Sequence, residues 1–296
     1  MSIFDHFIFY RIGKFLAEHL PINLSYFIAT LISDIHYIFA YRDRYEVTQN
    51  LKVIFPNKNK KEISKIRLNL FRNFAKYLVD FFHFSKLDMH YIKRKIKIEN
   101  IDHLNEAVSK KKGIIGLTAH LGNWELGGIV MAMLGYDIWA VALPHQDRRV
   151  DSFFNIQREK KGLKVIPISN AKDTCLSLLK NSKIVALLGD RDFTESGILI
   201  EFFKKPSLFP IGPAVFSIRT DSPIIAAFMI REKKDFFILR FEKPIYPPKE
   251  GTLKEKIKKI ITQYKVIFED YIQKYPEQWY MFRRFWNESM CNNTYL

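Results

Sequence analysis

The amino-acid sequence predicts an α/β fold: a mostly parallel central sheet flanked by helices, preceded by an apolar helical segment at the N-terminus. Two observations carry this prediction. From Gly113 onward, short apolar runs alternate with helical stretches, which is typical of parallel strands joined by crossover helices. Before Gly113, apolar residues recur at three- and four-residue spacing, as they do in helices. The chain of 296 residues is long enough to bury a core of this kind.

The composition excludes several classes of protein. The 47 Lys and Arg against 31 Asp and Glu give a formal charge of +16, which favours an anionic partner such as nucleic acid, anionic lipid or an acidic protein. Cys175 and Cys291 are too far apart for a disulfide framework or a cysteine-rich zinc site. We expect no metal and no cofactor, because the histidines do not cluster at metal-ligand spacing and no phosphate-binding glycine motif is present.

The N-terminal segment, residues 1–44, is strongly apolar. Residues 20–33 are uncharged, but this run of 14 falls short of the ~20 that span a bilayer. Basic residues on both sides favour an apolar hairpin that lies among lipid headgroups. A true membrane span and an ordinary pair of buried helices remain the alternatives. We therefore predict membrane-associating helices at 1–44 and an α/β domain at 45–296.

The first helices are predicted from the residues at their ends. A short helix after Arg44 ends before Pro56. Asn59, with Glu62 three residues later, forms a capping pair for a long amphipathic helix at 60–84. Residues 95–99 then alternate as a strand does, and 101–111 have helical spacing.

The sheet is predicted from apolar runs. The first four strands are expected at 113–119, 138–143, 164–168 and 184–189, with helices at 123–135, 147–161 and 171–181 between them. The later segments expected to continue the same sheet are 198–203, 224–230 and 236–241. Further helices are expected at 212–220 and, long and basic, at 250–275.

The segment TAHLGNWELGG, residues 118–128, is the main candidate for chemistry. His120 follows a buried strand, Gly122 permits a sharp turn, and Asn123 can cap the next helix. Glu125 reaches His120 only if His120 lies at the strand exit and the turn brings the carboxylate back. Such a pair is a general base for a hydroxyl group. The alternative is a structural histidine beside a helix-capping glutamate.

Other residues are expected to support this pair at the same edge of the sheet. Backbone N–H groups of Gly122 and Asn123 are expected to stabilise an oxyanion. Arg158 is expected to hold an anionic headgroup by a two-point contact, the alternative being a solvated helix charge. The substrate-binding set is Asn123, Arg158, Asp190, Arg191 and Asp192; a plain turn is the alternative for the last three.

Several segments, taken in order, resemble the lipid A biosynthesis (late) acyltransferase family. The hexapeptide HLGNWE is similar to the family's His-x4-Asp/Glu signature. The other matching segments are NLKVIFPN, FFNIQREKKGLKVIP, residues 189–228 and PEQWYMFRRFW. The resemblance covers nearly the whole chain. It implies a glycerolipid-acyltransferase-like fold.

The resemblance also implies an activity and a location. It implies transfer of a fatty acyl group from acyl carrier protein or acyl-CoA to a hydroxyl of an anionic membrane glycolipid, such as a lipid A precursor. It implies residence at the cytoplasmic face of the bacterial inner membrane. A non-catalytic basic protein that binds membranes or nucleic acid is the alternative from another class. Nucleic acid is disfavoured because basic residues do not interleave with aromatic ones as in RNA-binding motifs.

Two departures from the family's pattern concern the acceptor. Asp190, Arg191 and Asp192 stand where many lipid A enzymes have Asp-Gln, and resemble the phosphatidylinositol mannoside acyltransferase branch. Lys204 and Lys205 replace the glycine turn that follows two phenylalanines in the family. The acceptor alternatives are therefore a phosphatidylinositol mannoside-type glycolipid or a lysophospholipid.

Overall fold

Residues 7–100 are mainly helical in the computed structural model, which describes residues 7–192 and 197–286. The helices are α1 (Phe7–His19), α2 (Ile22–Phe39), α3 (Tyr41–Ile54), α4 (Lys60–Phe82) and α5 (Met89–Lys95). Asn59 caps α4, and Glu62 completes the capping box, as predicted. The helix ends at Phe82, and the chain continues as a 3₁₀ turn.

Helix α2 packs along α4 with one face and exposes the other. Its buried residues are Ser25, Tyr26 and Ser33. The exposed large apolar residues of α2 are Leu24, Phe27, Leu31, Ile32, Ile35, Ile38 and Phe39. Within the described ranges, α2 is the helix long and apolar enough to cross a membrane by length and composition. The apolar face of α2 is therefore exposed and does not pack into the protein core.

A seven-stranded sheet forms the centre of the fold, as predicted. Its strands are β1 (Ile96–Glu99), β2 (Ile114–Thr118), β3 (Ile138–Ala142), β4 (Lys164–Pro167), β5 (Ile184–Leu188), β8 (Ile224–Lys233) and β9 (Phe236–Phe241). Their order is β1-β9-β8-β2-β5-β3-β4. The β8–β9 pair is antiparallel and the other described pairs are parallel. β2 and β5, which carry the candidate site, are central neighbours whose carboxyl ends share one edge.

The segment 198–203 does not continue the central sheet, so that prediction is wrong. Strand β6 (Ile198–Phe202) pairs with β7 (Lys205–Phe209) in a separate antiparallel hairpin. Phe203 and Lys204 join the two strands with φ values of 51° and 60°. Two consecutive positive φ values define the tight hairpin turn whose twist matches paired strands. The local turn therefore pairs β6 with the segment that follows it.

Helices cover both faces of the central sheet. They are α6 (Ile101–Ser109), α7 (Trp124–Met133), α8 (Arg148–Glu159), α9 (Ala171–Lys180), α10 (Gly212–Thr220) and α11 (Leu253–Lys274). Leu117 of β2 belongs to the core that includes Phe268 of α11, whereas Ile114 belongs to the core that includes Val130 of α7. After α11, a bridge between Trp279 and Leu121 brings the C-terminal segment beside the loop that follows β2.

Candidate active site

His120 lies just beyond the carboxyl end of β2 and is held by Asp190, which follows β5. The ring Nδ1 is 2.7 Å from Asp190 Oδ1. The other carboxylate oxygen, Oδ2, accepts hydrogen bonds from the His120 backbone N–H at 3.0 Å and from the Trp279 indole at 3.1 Å. The sequence analysis expected Glu125 in this role. The carboxylate that orients the ring instead comes from the neighbouring parallel strand.

The environment of Asp190 favours a charged carboxylate. The side chain is fully buried, which by itself would raise its pKa. Attraction to the protonated form of His120, and the hydrogen bonds from His120 and from the Trp279 indole, nevertheless lower the pKa of Asp190 below its ordinary value. An ionised carboxylate only accepts hydrogen bonds, so in the neutral form of the imidazole the bonded Nδ1 carries the proton and the ring lone pair lies on Nε2.

Glu125 lies in the first turn of α7 and forms a buried two-point ion pair with Arg158 of α8. Arg158 Nη2 is 2.6 Å from Glu125 Oε1, and Arg158 Nε is 2.9 Å from Oε2. A third contact joins Arg158 Nη1 to Asn155 at 2.9 Å. Three contacts therefore hold the guanidinium within the protein, and the expected headgroup contact of Arg158 stays a prediction. Both groups line the cavity, where they connect α7 to α8.

Asn123 caps helix α7. Its Oδ1 accepts from the Leu126 backbone N–H at 3.0 Å, and its Nδ2 donates to Asp80 at 2.7 Å. The side chain is 2% exposed. The expected capping is confirmed. The expected substrate contact stays a prediction, and both ends of the amide are bonded within the protein.

The N–H groups expected to stabilise an oxyanion are also bonded within the protein. Gly122 N–H donates to the Gln278 carbonyl at 2.9 Å, and Asn123 N–H donates to the Met229 carbonyl at 2.7 Å. Gly122 has a φ of 67°, and a Cβ there would lie 2.1 Å from the Met229 oxygen, so the turn requires glycine. Within the described ranges, the backbone N–H groups of Trp124 and Glu125, which begin α7, make no hydrogen bond.

The site opens into a cavity of about 560 Å³. One arm runs under α7, where the sheet forms a row of three small residues, Gly116, Ala186 and Ala140, each paired with the next. The preceding row, toward the amino edge, is built from three isoleucines, Ile114, Ile184 and Ile138. Gly127, Gly128 and Met131 of α7 line the same cavity. The wall of this arm is therefore apolar, with small side chains in one row and isoleucines in the row toward the amino edge.

Further polar residues lie on the cavity wall. Arg191 and Asp192 follow Asp190 there, as expected from their place after a strand. Asp192 Oδ2 accepts from the Gly197 backbone N–H at 2.8 Å, which fixes its carboxylate. Thr118 lies two residues before His120, and its hydroxyl is buried without a hydrogen-bond partner within the described ranges. The sequence analysis missed Thr118 because a threonine ending a strand carries no distinctive signal.

A histidine held by a buried aspartate, placed at the edge of a covered sheet and beside an apolar cavity, is an arrangement that suits acyl transfer to a hydroxyl group. The chain belongs to the bacterial lipid A biosynthesis acyltransferase family, whose profile matches residues 3–288. It is thus an acyltransferase of the lipid A or glycolipid type.

Individual relatives are similar at low identity. A phosphatidylinositol mannoside acyltransferase of Mycobacterium tuberculosis is 23% identical over 220 residues, covering 72% of this chain and 68% of that one. A lipid A biosynthesis palmitoleoyltransferase of Escherichia coli is 24% identical over 282 residues, covering 91% and 87%. Among solved structures, a 1-acyl-sn-glycerophosphate acyltransferase of Thermotoga maritima gives a TM-score of 0.37 at 14% identity, covering 80% and 97%.

Proposed function

We propose that this enzyme transfers a fatty acyl chain from an acyl thioester to a hydroxyl of an anionic membrane glycolipid, with His120 as the general base. The donor is acyl carrier protein or acyl-CoA. The observation that carries the proposal is the His120–Asp190 pair beside the apolar cavity. The reaction needs a base that removes the hydroxyl proton and an apolar space that holds the acyl chain. The imidazole of His120 and the cavity beside it meet these two needs.

The proposed reaction is a direct transfer between acceptor and donor. His120 Nε2 removes the proton of the acceptor hydroxyl, and Asp190 stabilises the imidazolium that forms. The acceptor oxygen bonds to the thioester carbonyl carbon, and collapse of the tetrahedral intermediate breaks the carbon–sulfur bond. The leaving thiolate takes the proton from the imidazolium. The products are the acylated glycolipid and the free thiol of the donor.

The oxyanion of the intermediate is assigned to the start of α7. The N–H groups of Trp124 and Glu125 make no hydrogen bond within the described ranges and begin the helix four and five residues after His120. Each such donor contributes about 3 kcal/mol to transition-state stabilisation when correctly aimed. Thr118, with its unbonded hydroxyl, is a further candidate contact for the thioester carbonyl.

Glu125 is proposed to act through position rather than as the partner of His120. Its ion pair with Arg158 holds the first turn of α7 against α8. Removing either charged side chain of a buried pair of this kind leaves the other charge uncompensated. A substitution of Glu125 or of Arg158 is therefore expected to lower the stability of the fold. Arg191 and Asp192 remain the proposed contacts for the acceptor.

The apolar arm under α7 is proposed to hold the acyl chain of the donor. The small side chains of Gly116, Ala186 and Ala140 leave width for a chain, and the isoleucine row limits its length. Apolar burial contributes ~0.8 kcal/mol per methylene group, so binding strengthens with each carbon that fits.

Gly116→Val is expected to shift the preferred donor toward shorter acyl chains, by about three carbons, because valine adds three carbons to the arm. A Cβ at position 116 would meet its nearest neighbour only at 3.8 Å, so the strand tolerates a side chain. The measurement is kcat/KM across a series of acyl donors. The shortest donor is the internal control. An equal loss with every donor, or an unchanged preference, would contradict the assignment of this arm.

The N-terminal helices are proposed to attach the enzyme to the cytoplasmic face of the bacterial inner membrane. The exposed apolar faces of α1 and α2, which include Phe15 and Phe27, support this proposal. The formal charge of +16 adds attraction to an anionic leaflet. The boundary near residue 44 is retained as part of this proposal, with the α/β domain following it.

The proposed acceptor is a lipid A precursor, and a phosphatidylinositol mannoside-type glycolipid is the second candidate. The relatives carry both kinds of name, and Asp190-Arg191-Asp192 favours the second. A lysophospholipid is the remaining alternative.

The deciding experiment mixes purified protein, a labelled acyl thioester and vesicles that contain one candidate acceptor at a time. We expect sedimentation with the vesicles and acylation of a glycolipid, measured by mass spectrometry. Vesicles without glycolipid are the control. Acylation of none of the acceptors would refute the proposed function, and transfer to lysophospholipid alone would refute the glycolipid assignment.

A further inference from the structure

A buried charged cluster lies directly behind the loop that carries His120. It consists of Tyr26 from α2, Asp80 from α4, Arg231 from β8 and Asn123 from the loop itself. The exposed fractions of these residues are 5%, 5%, 8% and 2%. Four separate parts of the chain therefore meet in a buried cluster.

Asp80 is the centre of this cluster. Its carboxylate accepts hydrogen bonds from the Tyr26 hydroxyl, from Arg231 Nη2 and, at 2.7 Å, from Asn123 Nδ2. Arg231 Nη1 also donates to the Tyr26 hydroxyl oxygen at 3.1 Å. A buried carboxylate is tolerated only when it is compensated, and a fully bonded network of this kind favours a single arrangement of its members.

Asn123 connects this cluster to the reaction centre. One end of its side-chain amide caps Leu126 in the first turn of α7, and the other end is fixed by Asp80. That turn contains the N–H groups assigned above to the oxyanion. The direction of those N–H groups therefore depends on Asp80, and Asp80 depends in part on Tyr26.

The contribution of Tyr26 is unusual because of the helix that provides it. The opposite face of α2 exposes apolar residues such as Phe27 and Leu31. The helix proposed to face the membrane thus also supplies a buried hydroxyl to the support of the active site.

We propose that Tyr26 is a positioning residue for acyl transfer, acting through Asp80 and Asn123 on the start of α7. Helix α2 is then a working part of the active site as well as an attachment to the membrane. This inference rests on the proposed function for its kinetic consequence. The structural link itself consists of the hydrogen bonds described above.

The test compares two tyrosines of the same helix. Tyr26→Phe removes the hydroxyl that bonds Asp80. Tyr37→Phe is the matched control, because the Tyr37 hydroxyl oxygen accepts from Arg67 Nε of α4 at 2.8 Å, away from the loop. We expect Tyr26→Phe to lower kcat about tenfold, the scale of one hydrogen bond, with KM changed less than about twofold. Tyr37→Phe should keep the wild-type kcat.

A second variant tests the route through the loop. Asn123→Ser retains a side chain that can cap α7 but removes the amide that reaches Asp80. If both residues act through one chain of contacts, the double variant Tyr26→Phe/Asn123→Ser should be about as active as the less active of the two single variants. Multiplied losses, wild-type kcat in Tyr26→Phe, or equal losses in Tyr26→Phe and Tyr37→Phe would each overturn the proposal.

Hydrogen exchange separates this inference from the proposed function. Tyr26→Phe, and not Tyr37→Phe, should accelerate exchange of the Leu126 and Gly127 backbone amides, which donate to the side-chain and backbone oxygens of Asn123; this readout needs no substrate. If the wild-type enzyme transfers no acyl group, the proposed function is refuted. The exchange measurement still tests whether Tyr26 acts on the start of α7 through Asp80 and Asn123. Unchanged exchange would refute this action of Tyr26.

Discussion

His120→Ala is expected to lower acyl transfer by about 10²–10⁴-fold, because the substitution removes the group that accepts the hydroxyl proton. The loss should appear in kcat rather than in KM for either substrate, since the imidazole acts on the transition state. The side chain is 14% exposed and borders the cavity, so alanine leaves space that water can fill. The fold is therefore expected to persist.

The measurement is turnover of the purified variant, with the thermal midpoint and the circular dichroism spectrum recorded on the same preparation. His90→Ala is the matched control, because His90 is exposed and its ring contacts Arg94 on the surface of α5. The control should retain wild-type turnover. Near-normal turnover in His120→Ala would remove the proposed mechanism, whatever the control shows.

The sequence predicted the parts of the fold that local patterns determine. The buried strands of the central sheet are apolar runs, and the start of α4 has a capping pair at Asn59 and Glu62, so both could be located without a structure. The hairpin of β6 and β7 was missed. Its turn uses Phe203 and Lys204 at positive φ, and neither residue is typical of such a position.

The position of His120 after a strand was predicted correctly, whereas the carboxylate that contacts its ring was not. The motif placed His120 at a strand exit, but the partner of His120 depends on which strands are neighbours. Asp190 is 70 residues away and reaches the ring because β2 pairs with β5. The pattern within residues 118–128 contains no information about that pairing, so the nearest carboxylate, Glu125, was assigned instead.

The same limitation applies to the contacts of Arg158 and of the predicted oxyanion donors. The guanidinium of Arg158 has the chemistry of a phosphate ligand, but its burial against Glu125 follows from the packing of α8 on α7. The N–H groups of Gly122 and Asn123 are occupied by carbonyls from the C-terminal segment and from β8. These contacts arise from tertiary structure alone.

The second large effect is expected for Asp190→Asn, which should lower kcat by about 10³–10⁴-fold while preserving the fold. Asparagine has the shape of aspartate. Its amide oxygen can accept from the His120 backbone N–H and from the Trp279 indole, as Asp190 Oδ2 does. The amide nitrogen then faces the ring and donates to Nδ1, where aspartate accepts.

This exchange of donor and acceptor inverts the tautomer of the ring. With Nδ1 accepting a hydrogen bond, the proton of the neutral imidazole moves to Nε2, and the base that faces the acceptor hydroxyl is lost. The loss therefore follows from a wrong proton position rather than from a missing group. Nitrogen chemical shifts of the His120 ring report the tautomer directly, and kcat is measured on the same sample.

Asp137→Asn is the control for Asp190→Asn, because Asp137 is a partly exposed carboxylate paired with Lys164 and Lys183 at the amino edge of the sheet. Surface pairs of this kind contribute little, so turnover should match wild type. If Asp190→Asn carries the inverted tautomer and still turns over normally, Nε2 is not the catalytic base. If its ring keeps the proton on Nδ1 and kcat falls all the same, Asp190 supports the reaction through its charge, because the proton position is then unchanged.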